Sequence, residues 1–276
     1  MEFRDKVALV TGASSGIGLA VARQIVHRGG RVALVARTEA TLLQVARDLG
    51  GDRAVCFPLD VRDRAAVNEL PTSVVAKLGR LDVLVNNAGA NHRGEFLERT
   101  PEDLQAILGT NLVAPVLLTR ATIPHLGPGS VIVNVASLAG KIPVPHEATY
   151  CASKAGLRAF SRALDVELKE RGIRVSCVNP GPVDTGFLGD ILNVPDLVFS
   201  QPMSSAEQVA DAIMLAIDSG ALEIDVPAMS GKLATLGYLS PRFFAALRPI
   251  LAKRGAKKKE AYLAQRRGGE APKGFP

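Results

Sequence analysis

Thr11-Gly12-Ala13-Ser14-Ser15-Gly16-Ile17-Gly18 lies directly after a short apolar run, residues 7–10, and opens a helical pattern that continues to residue 27. Glycines at a strand–turn–helix junction permit a tight turn, close approach of the backbone to a pyrophosphate, and close packing of helix on strand. The start of the helix then offers free N–H groups and the positive end of its dipole to phosphate. Gly12, Ser14, Ser15, Gly16, Ile17 and Gly18 are on this ground the candidate phosphate cradle.

The same alternation continues along the chain. Apolar runs at 32–36, 54–57, 83–85, 131–135 and 175–178 are separated by helical patterns that include 41–49, 65–78 and 150–168. The runs show little period-two alternation, as expected of strands buried on both faces. Strand–helix alternation at this spacing predicts βαβ units with right-handed crossovers. The expected fold is a single doubly wound α/β domain over residues 1–227. Its parallel sheet has six strands plus a short seventh near 222–226, with helices on both faces. Thr100-Pro101-Glu102-Asp103 marks one helix start by a capping hydroxyl, a proline and first-turn acids. That helix should run to about residue 125. Pro115, lacking an N–H, should free the Asn111 carbonyl and kink it there.

Composition narrows the function classes. Hydrophobic residues make up 47% and charged residues 22%, enough apolar material for a sizeable core. Aromatics are only 4% and Trp is absent, which argues against base-stacking surfaces. Cys56, Cys151 and Cys177 are scattered and odd in number, and they form neither a disulfide framework nor a zinc framework. No run approaches the eighteen or so consecutive apolar residues of a membrane span, and a cytoplasmic location is expected. The net charge of +6 is uneven: residues 228–276 carry 11 Lys/Arg against 2 Asp/Glu, while the other 227 residues carry 22 against 25. The basic character belongs to a tail without interleaved aromatics, and no nucleic-acid partner is expected.

Further motifs follow in order. Asp60-Val61 ends the third run, Asn86-Asn87-Ala88-Gly89 the fourth, and Pro180-Gly181-x-Val183-x-Thr185 the sixth. Ser137 stands thirteen residues before Tyr150, and Tyr150-x-x-x-Lys154 places a phenol and an amine one helical turn apart on one face. With the Gly-x-x-x-Gly-x-Gly spacing of residues 12–18, this set resembles the classical short-chain dehydrogenase/reductase family from about Lys6 to Val226. The resemblance implies a Rossmann-type nucleotide-binding domain, a homodimer or homotetramer, and hydride transfer between a nicotinamide cofactor and a carbonyl/alcohol pair. It assigns adenine contact to Asp60 and Val61, and further cofactor contacts to Asn87, Ala88, Gly89, Pro180, Gly181, Val183 and Thr185. Tyr150 becomes the proton donor and Ser137 orients the substrate carbonyl. Lys154 holds the nicotinamide ribose, and Asn111 belongs to a proton relay.

Moving a phenol three pH units toward neutrality requires roughly 4 kcal/mol. A cation about 4 Å away supplies roughly that at intermediate dielectric, so Lys154 together with a positively charged nicotinamide is expected to lower the Tyr150 pKa. The second strand ends Val35-Ala36-Arg37, where NAD-preferring relatives carry an acid at the place of Ala36. The guanidinium of Arg37 suits a 2′-phosphate, and NADP(H) is the expected cofactor.

Residues 186–203 occupy the place of the family's substrate lid and are rich in apolar side chains, which points to an apolar ketone or aldehyde. Ser204 to Glu207 should cap the helix that follows. Residues 228–276 form a basic amphipathic extension, with Pro241 and Pro249 expected to break it into short helices and the last twenty residues to fray. The extension is expected to pack on the lid or on a partner subunit, with peripheral contact to an anionic membrane as the alternative. A non-catalytic NADP-binding scaffold on the same fold is the competing function.

Overall fold

The computed structural model describes residues 1–188 and 191–267. Among them are seven strands: β1 Val7–Thr11, β2 Arg31–Ala36, β3 Ala54–Pro58, β4 Val83–Asn86, β5 Val131–Val135, β6 Arg174–Pro180 and β7 Glu223–Val226. The α-helices are α1 Gly16–His27, α2 Glu39–Asp48, α3 Arg64–Leu78, α4 Pro101–Leu108, α5 Ala114–Thr122, α6 Ala148–Leu168, α7 Asp196–Phe199, α8 Ala206–Ser219, α9 Ala228–Leu239 and α10 Pro241–Arg267. All neighbouring strands are parallel, in the order β3-β2-β1-β4-β5-β6-β7. The order reverses between β1 and β4, which opens a crevice at the carboxyl ends of those strands.

Alternate strand residues feed two separate cores, which is why the runs read as continuously apolar. Val10, Val85 and Val133 face a layer formed by α1, α2 and α8, with Val21, Ile25, Leu42, Val209 and Ile213. Leu9, Leu84 and Ile132 face the opposite layer, with Val67 and Val74 of α3, Leu118 of α5 and Leu164 of α6. Each fully buried side chain of this kind contributes roughly 1.5–3 kcal/mol, so both layers hold the sheet firmly.

Three sequence expectations need correction. The helix from Thr100 does not merely kink: residues Gly109–Val113 form a π-helical turn between α4 and α5. Pro115, near the start of α5, leaves one backbone bond unmade, and the wider turn absorbs it. The run Pro101–His125 is apolar and long enough to cross a bilayer by composition, but it packs here on α3 and α6. The cap of α8 lies one residue later than expected: Ser205 accepts from Gln208 N–H, and the Gln208 side chain accepts from Ser205 N–H. The extension is not broken into pieces. Pro241 opens α10, where its missing N–H costs nothing, and the helix continues through Pro249. Packing of Phe244, Leu251 and Tyr262 on the lid region maintains it. Residues 257–267 are helical rather than frayed, and residues 268–276 lie outside the described residues.

Candidate active site

A cleft of about 570 Å³ opens at the crevice between β1 and β4. Every expected site residue lines it except Gly18 and Asn111, which stand just behind its wall. At the inner end Gly12 has φ +67°, and a Cβ there would lie 2.9 Å from the Asn87 amide nitrogen. A Cβ on Gly18 would lie 2.2 Å from the Gly12 carbonyl oxygen. No side chain larger than hydrogen fits either place, so α1 reaches the loop at backbone distance. Ser15 is the N-cap of α1, yet its hydroxyl makes no capping bond and the first turn carries no acid. The helix start is thereby left to an anion, and a dinucleotide pyrophosphate fits this cradle.

Thr11 organises the loop opposite and was not singled out from the sequence. Its hydroxyl accepts from the backbone N–H groups of Asn87 and Ala88, both at 3.0 Å. Asn87 Nδ2 donates to the Thr11 carbonyl at 2.9 Å. At the adenosine end, Arg37 is exposed and makes no ion pair among the described residues. Asp60 instead is gripped by Arg62, with Nη2 at 2.6 Å, which holds its carboxyl below the usual carboxylate range.

The catalytic candidates converge on the cleft floor. Ser137 follows β5, and Tyr150 and Lys154 project from the first turns of α6. Ser137 Oγ donates to the Pro180 carbonyl at 3.3 Å and accepts from Ala139 N–H at 3.1 Å, and it stands close enough to the Tyr150 hydroxyl to act on its ionisation. Lys154 Nζ donates to the Val135 carbonyl at 2.8 Å and lies 5.7 Å from the Tyr150 ring centroid. Asn111 sits in the π turn, where its side chain exchanges two 2.8 Å hydrogen bonds with the Ala90 backbone and donates to Ser153. It thus ties the Asn87–Ala90 loop to α6.

Burial governs the electrostatics of Tyr150 and Lys154. Burial pushes the Tyr150 phenol above its ordinary value, Glu147 adds to the rise, and Ser137 and Arg93 partly offset it. Lys154 is not among the largest influences on the phenol; its ammonium donates to the Val135 carbonyl. Burial also depresses Lys154 itself, to about 8. Tyr150 therefore holds its proton throughout the neutral range, which is the state of a proton donor.

The sequence also concealed the Arg93–Glu147 pair. Both residues line the cleft, and the guanidinium bonds the carboxylate and donates to the Leu188 carbonyl at 2.9 Å. The charges neutralise one another beside Tyr150. The outer wall is then apolar, built by Leu138, Ile142, Phe187, Leu197, Phe244 and Leu251.

The family model for short chain dehydrogenases matches residues 6–193. The chain belongs to the short-chain dehydrogenase/reductase family. Ketoacyl reductase HetN of a Nostoc species is 34% identical over 249 residues, covering 86% of this chain and 85% of that protein. A monensin polyketide synthase putative ketoacyl reductase of Streptomyces virginiae is 44% identical over 187 residues, covering 66% of this chain and 72% of that protein. Among solved structures, a short chain dehydrogenase of Burkholderia cenocepacia in complex with NADP superposes with a TM-score of 0.75 at 31% identity, covering 82% of this chain and 98% of that one. The chain is accordingly an oxidoreductase of a family that uses NAD(P) and has the expected Rossmann-like parallel sheet. The family match stops at residue 193, so α9 and α10 lie beyond it.

Proposed function

We propose that this chain reduces an apolar ketone or aldehyde with NADPH. The observation that carries the reading is the convergence of buried Ser137, Tyr150 and Lys154 at the floor of one cleft, between a phosphate cradle and an apolar wall. When bound, the cofactor supplies the hydride. Ser137 turns its proton from the Pro180 carbonyl to the substrate carbonyl and orients it. Tyr150 Oη then gives its proton to the substrate oxygen, so that the C=O becomes CH–OH. Desolvation holds the proton on the phenol until that oxygen gains charge. Lys154, held by Val135, keeps a cation beside the phenolate formed in this step.

Preference for NADPH is supported by the exposed guanidinium of Arg37, which makes no ion pair among the described residues, and by the absence of an acid at Ala36, while Asp60 is paired with Arg62. An uncharged substrate is supported by the mutual neutralisation of Arg93 and Glu147. Three free cysteines suit a cytoplasmic setting. A homodimer or homotetramer completes the reading, supported by exposed Val113 and Val166 on the helical layer of α5 and α6. The test is a panel of alkyl and aryl ketones and aldehydes followed by NADPH and NADH absorbance. Turnover of apolar members with NADPH is expected. No turnover of any carbonyl, or a consistent preference for NADH, contradicts the reading.

A further inference from the structure

Helix α10 carries two different faces. Phe244, Leu251, Gly255 and Tyr262 fall on one stripe at helical spacing. Phe244 and Leu251 line the cleft, and Tyr262 is buried against Phe199 with ring centroids 5.7 Å apart. Gly255 brings the helix against α7, where a Cβ would lie 1.8 Å from the Asp196 carbonyl oxygen. Lys259 donates to the carbonyls of Leu192 and Val194 at 2.9 and 2.7 Å. This stripe is fully engaged with the lid.

The adjacent stripe is not. Phe243 and Ile250 point outward, and Ile250 is 66% exposed. Met229, Leu236 and Leu239 share one face of α9, with Met229 at 74% and Leu239 at 75% exposed. Leu239 and Phe243 flank the turn at Ser240, so the two outward faces meet there. Around them stand Lys232, Arg242, Lys253, Arg254 and Lys257, all exposed and none in an ion pair among the described residues. Glu260 is the only acid between residues 228 and 264. A monomer gains nothing by holding such large apolar side chains in water, and a run of unpaired cations beside them repels a second copy of itself. An acidic protein partner would match the cations but not protruding leucine, isoleucine and methionine tips. An anionic bilayer matches both: apolar tips enter the acyl boundary while Lys and Arg reach the headgroups.

We infer that the α9–α10 hairpin is a peripheral membrane-docking surface for anionic phospholipid. Docking there sets the outer wall of the cleft, which the same helix builds through Phe244 and Leu251, against the bilayer. The inference concerns binding alone and does not depend on the reaction.

Flotation of the full chain with vesicles of phosphatidylcholine and phosphatidylglycerol at 3:1, and of phosphatidylcholine alone, tests it. The protein should rise with the anionic vesicles, remain below with the neutral ones, and be released progressively by salt. Leu239→Ser with Ile250→Ser should weaken binding at least tenfold, with melting temperature and cofactor affinity unchanged because both side chains are exposed and outside the cleft. Arg254→Gln with Lys257→Gln should weaken it several-fold and reduce its salt dependence. Failure of the parent protein to float with anionic vesicles overturns the inference. Equal flotation of the Leu239→Ser/Ile250→Ser protein does so too. Conversion of an oligomer to a smaller species by that variant, seen in sedimentation, overturns it in favour of a second copy of the chain.

Discussion

At the inner end of the cleft, Gly12, Gly18, Thr11 and Asn87 meet at backbone distances that admit almost no substitution, and all derive from the segments that follow β1 and β4, the two strands at the switch point. At the outer end, Leu138, Phe187, Leu197 and Phe244 line the wall from four separate segments, and Leu138, Leu197 and Phe244 pack in one apolar cluster. The first arrangement is a hydrogen-bonded cradle whose geometry dictates residue types. The second is a packing surface that tolerates many apolar combinations of similar volume. The contrast teaches that the cradle carries what the chain has in common with its family, while the wall, partly built by a helix outside the family match, carries what is particular to it. The names of relatives that align over about two thirds of the chain accordingly describe its chemistry better than its substrate.

Substitutions at the two ends should therefore fail differently. The largest effect is expected for Lys154→Met, about 10³-fold in turnover with a parallel loss of cofactor affinity, read from single-turnover rates and NADPH fluorescence titration. The same change should stabilise the ligand-free protein. The folded-state pKa of Lys154 is lowered from 10.5 to about 8, so its burial penalty is absent above pH 10.5, accrues as pH falls from 10.5 to about 8, and is fully present below that. At pH 7 the variant should gain up to about 3 kcal/mol, less the lost hydrogen bond to Val135, and the gain should shrink between pH 8 and 10.5. Thermal melts across that range would measure it.

Next is Tyr262→Ala, which removes the ring against Phe199 and the 2.6 Å hydrogen bond to Asp184. A loss of about 3–5 kcal/mol in docking of α10 is expected, read as faster hydrogen exchange in α10 and residues 191–203 while β1 and α1 stay protected. Loss of protection throughout the sheet would show that the two ends are not separable. Arg37→Ala should weaken NADPH by about tenfold to a hundredfold and leave NADH nearly unchanged, because one charge-assisted contact is removed. Equal weakening of both would detach Arg37 from cofactor choice. Phe244→Leu should raise KM for apolar carbonyls by only about threefold with kcat unchanged, the mark of uniform substrate binding.

Legibility in the sequence followed the same division. The seven strands, the glycine loop and the Tyr150–Lys154 turn were readable because buried parallel strands need continuous apolar runs and a helix fixes i, i+4 neighbours. The backbone at Asn111 was readable only as a kink, since sequence shows that Pro115 lacks a donor but not that the chain widens into a π turn. Arg93 and Glu147 lie 54 residues apart and no local spacing links them. The hydrogen bond of Lys154 to the Val135 carbonyl was not readable either, since sequence gives the spacing of Lys154 and Tyr150 along the helix but not what the ammonium meets on β5. The continuity of α10 through Pro249 was invisible because packing on the lid, not local propensity, maintains it.

The central claim is that Tyr150 is the proton donor of an NADPH-dependent carbonyl reductase, and the Tyr150→Phe protein tests it most directly. The substitution keeps the ring beside Phe187 and removes only the hydroxyl that meets Ser137. Steady-state turnover measured beside NADPH affinity should show a fall of about 10²–10⁴-fold, or about 3–5 kcal/mol of barrier, with cofactor affinity within a factor of about two of the parent. Near-parental turnover would remove Tyr150 from the mechanism and contradict the account.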